Sequence, residues 1–387
     1  MTRRAPAAGA LGACVRLLRA LLVGASLPAL VACGGAQRAA DARTDEAAFD
    51  VEAPLPGKLS ELRLLRRDGD ALRAVDGVAY DLGHPLFSDY AWKYRTLHLP
   101  AGARAVRAGS GADTDTLVFP VGTLITKTFY YPRAGAGAGV VLAAAAPLAG
   151  PDAPLDVAGR RLIETRVLVH RRDGWDAVSY LWNEAGTDAR RVRGGALLDL
   201  ETADGRAFAY LVPDANQCAN CHATDHGSRA IAPIGPKPGN LAAVRFAAAR
   251  TQYDALREAG VVDDGAPVSA WPAHADARAY LDANCAHCHS RVGAADTAGL
   301  DLRIGADARA VGVCKSPVAA GRGSGGRAYD VWPGRPAASI LLYRMTDTDP
   351  GVMMPELGRS LVHEAGVALI TDWIANMEGN CAQGSLL

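Results

Sequence analysis

Residues 116–131, TLVFPVGTLITKTFYY, decide the fold class of the first half of the chain. β-branched and aromatic residues dominate this stretch and favour a β-strand, while Pro120 and Gly122 inside it indicate an edge strand or a bulge. Residues 161–170 form a second run of the same kind. In residues 175–182 successive side chains fall alternately into two sets, one for each face of a strand, which is typical of a half-buried strand.

A β-hairpin is predicted further along the chain. Residues 196–202 and 206–212 flank Ala203-Asp204-Gly205, which is a signal for a tight turn between two strands. With the runs described above, this pattern predicts an all-β domain over residues 56–213, built as an antiparallel sandwich or barrel.

After Pro213 the pattern changes to short helical periodicities and loops rich in glycine and proline. We therefore predict a multidomain protein in which a mostly α-helical region follows the β-domain. Its predicted helices lie at residues 241–259, from about 277, and at 361–378. Its two segments are residues 214–275 and 276–387.

The composition excludes some classes of protein. The 387 residues contain 41 Lys and Arg and 41 Asp and Glu, so no basic footprint for nucleic acid is present. No arrangement of Ser, His and Asp and no paired carboxylates indicate a hydrolase. Beyond the N-terminus, no stretch is apolar for long enough to span a bilayer.

The first 33 residues are predicted to be a bacterial lipoprotein signal peptide. Arginines precede an apolar core, and the segment ends Leu30-Val31-Ala32-Cys33, the pattern in which Cys33 receives a diacylglycerol. The alternative is an ordinary secretory peptide. Gly34 after the cysteine favours the outer membrane, so the mature protein is expected to be periplasmic and lipid-anchored there. Residues 34–55 are polar and predicted to be a flexible tether.

Two identical motifs of the CxxCH type carry the chemistry, CANCH at residues 218–222 and CAHCH at 285–289. Residues i, i+3 and i+4 share one face of a helical turn, so two thiols can form thioethers to haem vinyl groups while the histidine binds the iron. The alternatives are a zinc site, whose knuckles lie closer together, and a thiol redox pair. We predict two covalently attached haem c groups, held by Cys218, Cys221, Cys285 and Cys288, with His222 and His289 as proximal iron ligands. The mostly α-helical region is therefore predicted to be of the cytochrome c type.

The distal ligand of the second haem is predicted to be Met354, with Met353 as the alternative. Both lie in the loop Met353-Met354-Pro355-Glu356, just before the last predicted helix. Small c-type cytochromes take their sulfur ligand from such a loop, and a thioether raises the reduction potential. The competing interpretation is that both methionines pack the core.

The distal ligand of the first haem stays open. Gly235-Pro236 lies at about the spacing where a carbonyl accepts a hydrogen bond from the proximal imidazole. His226 would lie on the wrong side of the haem. The other candidates are Met345, from the neighbouring segment, and three histidines of the β-domain, or the iron is five-coordinate. Those histidines are His84, His98 and His170.

Two further cysteines remain once the motifs and the signal peptide are counted. They are Cys314 and Cys381, and an oxidising periplasm makes them a candidate disulfide.

From about residue 56 to the C-terminus, the sequence resembles a family of bacterial dihaem c-type cytochromes. The resemblance implies export, haem and redox chemistry, and it implies an exported parallel β-helix protein as a partner. Gly83-His84 departs from the Leu-Asn expected in the family, so His84 is not a ligand by resemblance. The matching stretches are YDLGHPLFSDY at 80–90, FPVGTLITKTFYYP at 119–132, ETRVLVHRRDGWDAVSYLWNE at 164–184, NQCANCH at 216–222, LDANCAHCHS at 281–290, GVCKSPVAAGRGSGG at 312–326 and MMPELGR at 353–359.

The sequence therefore predicts an electron carrier for a periplasmic redox partner. The alternative is a haem oxidoreductase resembling a peroxidase, which would use an open iron at the first haem. Whether the chain is an enzyme stays open at this point.

Overall fold

Antiparallel strands dominate the described residues between Leu65 and Val212, as the β-branched and aromatic runs in this part of the sequence predict. The computed structural model describes residues 49–109, 116–135, 139–143, 148, 150–246, 250–263, 265, 267–272, 276–318 and 320–381. The strands are β1 Leu65–Asp68, β2 Ala71–Ala74, β3 Val78–Tyr80, β4 Trp92–His98, β5 Val106–Ala108, β6 Thr116–Val118, β7 Leu124–Pro132, β8 Leu155–Asp156, β9 Arg160–Arg171, β10 Gly174–Trp182, β11 Ala189–Val192, β12 Ala196–Glu201 and β13 Ala207–Val212.

The main sheet has six strands in the order β11-β10-β9-β7-β4-β3. Smaller antiparallel sheets are formed by β1, β2 and β8, by β5 and β6, and by β12 and β13, which is the predicted hairpin. The stretch 116–131 is split between two sheets. Pro120 and Gly122, the latter at φ 95°, form a turn between β6 and β7, because neither residue fits a continuous ladder.

Helices in the second half are short. They are α1 Ala215–His222, α2 Pro238–Ala242, α3 Gln252–Glu258, α4 Ala277–Asn284, α5 Ile340–Thr346 and α6 Glu364–Ala375. Single turns of 3₁₀-helix lie at Leu59–Leu62, Asp296–Ala298, Gly321–Ser324 and Pro336–Ala338.

The predicted mostly α-helical cytochrome region is wrong. The structure is mainly β, with 27% strand and 20% helix, and its strands form several antiparallel sheets. Glycine and proline interrupt the helical periodicities after residue 213, and connecting loops take their place. Residues 241–259 do not form one helix, because Thr251 caps the start of α3 by accepting a hydrogen bond from Asp254 N. The main sheet is also open at β11 and β3, so it is not a closed barrel.

The β-sheet and the segments after it share cores and contacts, and Phe49–Leu387 forms one compact unit. Leu97 and Ile125 of the main sheet pack with Leu241 and Leu256 of the following segment. A separate core around Leu281 and Ile370 lies under the second motif. The β-sheet therefore serves as a wall for the segment that carries the first motif.

The predicted signal peptide, the lipidation site Cys33 and most of the tether lie outside the described residues. Among the residues that the structure describes, no helix is both long enough and apolar enough to cross a membrane.

Cys314 and Cys381 form a disulfide in the structure, with 5.1 Å between their Cα atoms. The bridge joins residues separated by 67 positions. Closing a loop of that length stabilises the fold by about 4 kcal/mol in the chain-entropy description. We expect Cys314→Ser to lower the free energy of unfolding by about that amount, as measured by urea denaturation. Thiol labelling of the unfolded, unreduced protein should find neither cysteine free, and labelling of both would contradict the bridge.

Candidate cofactor site

The first motif lies on α1, and a capping box holds the start of that helix. The carboxylate of Asp214 accepts a hydrogen bond from Gln217 N at 2.7 Å, and the Gln217 side chain accepts one from Asp214 N at 3.0 Å. Cys218, Cys221 and His222 therefore share a single regular helix. Their side chains lie on neighbouring positions of one helix surface, as covalent haem attachment requires.

His222 is held in one orientation. Its Nδ1 lies 2.9 Å from the carbonyl oxygen of Ala232. A carbonyl only accepts, so Nδ1 carries the proton and Nε2 keeps its lone pair. Burial, together with the charge of Lys127, lowers the pKa of His222 to about 4. A neutral imidazole with a fixed tautomer is the form that ligates iron. The sequence predicted the carbonyl acceptor at Gly235-Pro236, and the structure places it at Ala232 instead.

A cavity lies between α1 and the main sheet; we call it the sheet cavity. Cys218 and His222 line one side, and the sheet lines the other through residues such as Ile125 and Leu168. Trp271 contributes an apolar edge. The thiol, the neutral imidazole and the apolar lining are the groups that a haem attached at the first motif requires.

The second motif begins where α4 ends. Hydrogen bonds from Cys285 N to Leu281 O and from His289 N to Cys285 O, both 2.9 Å, continue the helical turn through the motif. Nδ1 of His289 is buried and has no hydrogen-bond partner among the described residues. Burial, together with the charge of Arg344, lowers the pKa of His289 to about 4. His289 is therefore also a neutral imidazole, but no carbonyl orients it as Ala232 orients His222.

The two motifs touch each other, although 68 residues separate them along the chain. Cys288 Sγ lies 3.9 Å from the carbonyl oxygen of Asn220, which is inside the first motif. Burial raises the pKa of Cys288 to about 12, and the thiol of Cys221 contributes to that shift. The attachment edges of the two sites therefore lie side by side.

The methionine loop lies beside the second motif. Met354 N donates to Arg344 O at 2.9 Å, and Arg344 acts electrostatically on His289. Glu356 of the same loop contributes to the raised pKa of Cys288. Met353 is buried at 7% exposure, whereas Met354 is half-buried. The structure places this loop beside the second motif, and both sulfurs stay candidates for the distal ligand.

The candidates for the distal ligand of the first haem lie in different places. His84 lines the sheet cavity and is 8% exposed, with Nε2 2.7 Å from Pro272 O. Both ring nitrogens of His98 are engaged, by Val75 O and by Thr96 Oγ1. His170 stacks on Trp175, His226 is exposed and Met345 packs in the second core. Of these five candidates, the structure places His84 at the cavity.

Three charged side chains of the sheet also line this cavity, and the sequence did not predict them there. They are Arg95, Lys127 and Arg166. The available signal was a cation within an apolar strand pattern, ITKTFYY at residues 125–131. Their alignment depends on strand register, which that pattern does not contain.

No family model, curated protein or solved structure matches this chain. Within the described residues, no group of three or more His, Cys, Asp or Glu side chains is arranged to hold a metal ion. None of the four motif cysteines forms a disulfide within the described part of the chain.

Proposed function

We propose that this chain is an exported dihaem c-type cytochrome that transfers electrons to or from a periplasmic partner. The observation that carries this proposal is the contact between the motifs, with Cys288 Sγ 3.9 Å from Asn220 O. Electron tunnelling weakens steeply with distance. Two haems attached at adjoining edges would therefore form one conducting pair, which suits a relay better than two independent sites.

Each motif would contribute the same set of groups. The thiols of Cys218, Cys221, Cys285 and Cys288 would form the thioethers, and the imidazoles of His222 and His289 would bind the irons. Haem supplies one-electron chemistry when it is bound, and the protein supplies ligands, burial and orientation. Ala232 keeps the lone pair of His222 directed at the iron site through the proton on Nδ1.

The resemblance to bacterial dihaem cytochromes supports the same proposal. The signal pattern that ends at Cys33 supports a lipid anchor at that residue, and Gly34 after it favours the outer membrane. The resemblance supports an exported β-helix protein as the redox partner.

A peroxidase-like oxidoreductase is the second candidate. It is favoured by His84, whose Nε2 is bound to Pro272 O while the ring lines the sheet cavity. A histidine held in this way could act on a ligand of an open iron as an acid or base. The two candidates differ in whether the first iron has a free coordination position.

Titration of the fully reduced protein with carbon monoxide tests the proposed function. For a carrier with both irons capped, we expect no rapid binding at either haem. The Met354→Ala protein is the positive control, because removal of the distal sulfur should let the second haem bind one equivalent. Rapid, stoichiometric binding at one haem of the parent protein would overturn the carrier and support the oxidoreductase.

Met354→Ala should remove the weak near-red charge-transfer band of a thioether–iron bond from the ferric spectrum. It should also lower one reduction potential by roughly 0.1–0.2 V, because axial ligands set haem potentials over about 0.8 V. Met353→Ala is the matched control, and we expect it to keep the band. If the band disappears only in Met353→Ala, the ligand is Met353.

A further inference from the structure

Three cations stand side by side on one face of the main sheet. Arg95 of β4 pairs with Lys127 of β7 in the antiparallel ladder, and Lys127 pairs with Arg166 of β9. We call these three residues the cationic row. Like charges directly opposite each other on neighbouring strands destabilise a sheet. All three line the sheet cavity together with Cys218 and His222.

Two members of the cationic row have carboxylate partners. Arg95 forms an ion pair with Asp81 at 3.1 Å, and Arg166 forms one with the fully buried Glu164 at 2.6 Å. Glu164 also accepts a hydrogen bond from Tyr210 OH at 2.8 Å. That carboxylate is therefore fully engaged by groups on its own side of the sheet.

Lys127 is different, because it has no ion pair with any carboxylate of the described part of the chain. Burial, with Arg166 and Arg95, lowers the pKa of Lys127 to about 7, although Glu164 acts in the opposite direction. Its remaining exposure is to the sheet cavity. A methionine would fill the same space without the cost of a buried, unpaired ammonium group. An anion on the cavity side would therefore stabilise the ammonium group of Lys127.

We propose that Lys127, flanked by Arg95 and Arg166, binds a propionate of the haem attached to Cys218 and Cys221. This inference rests on the proposed function, and it names the residues that would neutralise that haem. Haem carries two propionates, which are carboxylates. An ammonium group offers three donors for short, charge-assisted hydrogen bonds to such a group.

The covalent tether favours the propionate over an anion from solution. A group attached through Cys218 is held inside the cavity that Lys127 faces, so its effective concentration there is high. On the opposite side of the cavity, Lys237 is already paired with Asp282. Lys127 is therefore the cation of the lining that is left for the propionate.

The experiment compares holoproteins that carry Lys127→Met, Lys127→Arg or Lys58→Met. Lys58 is exposed, so its replacement removes the same charge away from the cavity. Haem content is measured first in each protein. If the parent protein carries no covalent haem, the proposed function itself is contradicted. Two haems in every variant leave the role of Lys127 to be decided by the next measurements.

Redox titration should then show a change at one haem only. In Lys127→Met the ratio of reduced to oxidised first haem at a fixed potential should fall about tenfold, because loss of a positive charge favours ferric iron. For a one-electron couple this corresponds to about 59 mV. Lys127→Arg and Lys58→Met should stay close to the parent. The first haem is recognised as the one whose potential Met354→Ala leaves unchanged.

A second measurement reports on the propionate itself. With haem labelled with carbon-13 at the propionate carboxyls, the labelled carboxylate band in the infrared difference spectrum should move in Lys127→Met and stay in Lys58→Met. An unchanged band in Lys127→Met overturns the proposal. The proposal is also overturned if acetate alters the spectrum of the first haem in the parent protein but not in Lys127→Met, because the cationic row would then bind a free anion.

Discussion

Replacing both cysteines of one motif with serine is expected to halve the haem content of the protein. Serine hydroxyls do not form thioethers with haem vinyl groups, so the altered motif loses its covalent haem. The Cys218→Ser/Cys221→Ser protein and the Cys285→Ser/Cys288→Ser protein should each keep one haem. The mass of the denatured chain and the haem absorbance per chain measure this directly.

The matched control uses the other two cysteines. Cys314→Ser/Cys381→Ser removes the disulfide, and we expect both haems to remain because neither residue belongs to a motif. An unmodified parent mass together with bound zinc would contradict haem at both motifs. The alternative of thiol redox pairs predicts reversible labelling of the motif cysteines, whereas thioethers leave no thiol to label.

Asp89→Ala is expected to lower the free energy of unfolding by about 3 kcal/mol. The carboxylate is 3% exposed and accepts hydrogen bonds from Ser360 N at 2.8 Å and Leu361 N at 2.7 Å. Removal leaves two peptide donors without their acceptor. Asp89 also has a left-handed backbone, φ 47°, which alanine tolerates less well than aspartate.

Urea denaturation of the holoprotein measures this change. Asp89→Asn separates the two causes, because asparagine tolerates the left-handed backbone and keeps one acceptor oxygen, so its cost should be about half as large. Asp68→Ala is the control, since Asp68 is exposed and pairs only with Arg66 at the surface. Its effect should be below about 0.5 kcal/mol. Equal losses for Asp89→Ala and Asp68→Ala would contradict the role given to the buried carboxylate.

Local pattern predicted the strands at 161–170 and 175–182 and the hairpin of β12 and β13, because these depend on residues close in sequence. It did not predict where the run 116–131 breaks, since the choice between a bulge at Pro120 and a turn between sheets depends on distant partners. The helical pattern at 241–259 was overridden by the cap at Thr251.

The candidate site also combines features that local sequence predicts with features that depend on distant residues. The CxxCH spacing identified its thiols and imidazoles from adjacent residues. The contact between Cys288 and Asn220 could not be predicted, because it joins positions 68 residues apart. The cationic row depends on the register of three strands, and the acceptor for His222 depends on how the following loop turns. Both are tertiary properties that no local periodicity contains.

The hydrogen bonds that Ser360 N and Leu361 N donate to Asp89 join two distant parts of the chain. Asp89 lies in the turn before β4, and Ser360 follows it 271 positions later. A chain that ends before residue 360 lacks both donors, so the Asp89 carboxylate would stay hydrated and the turn before β4 would not be joined to the loop before α6.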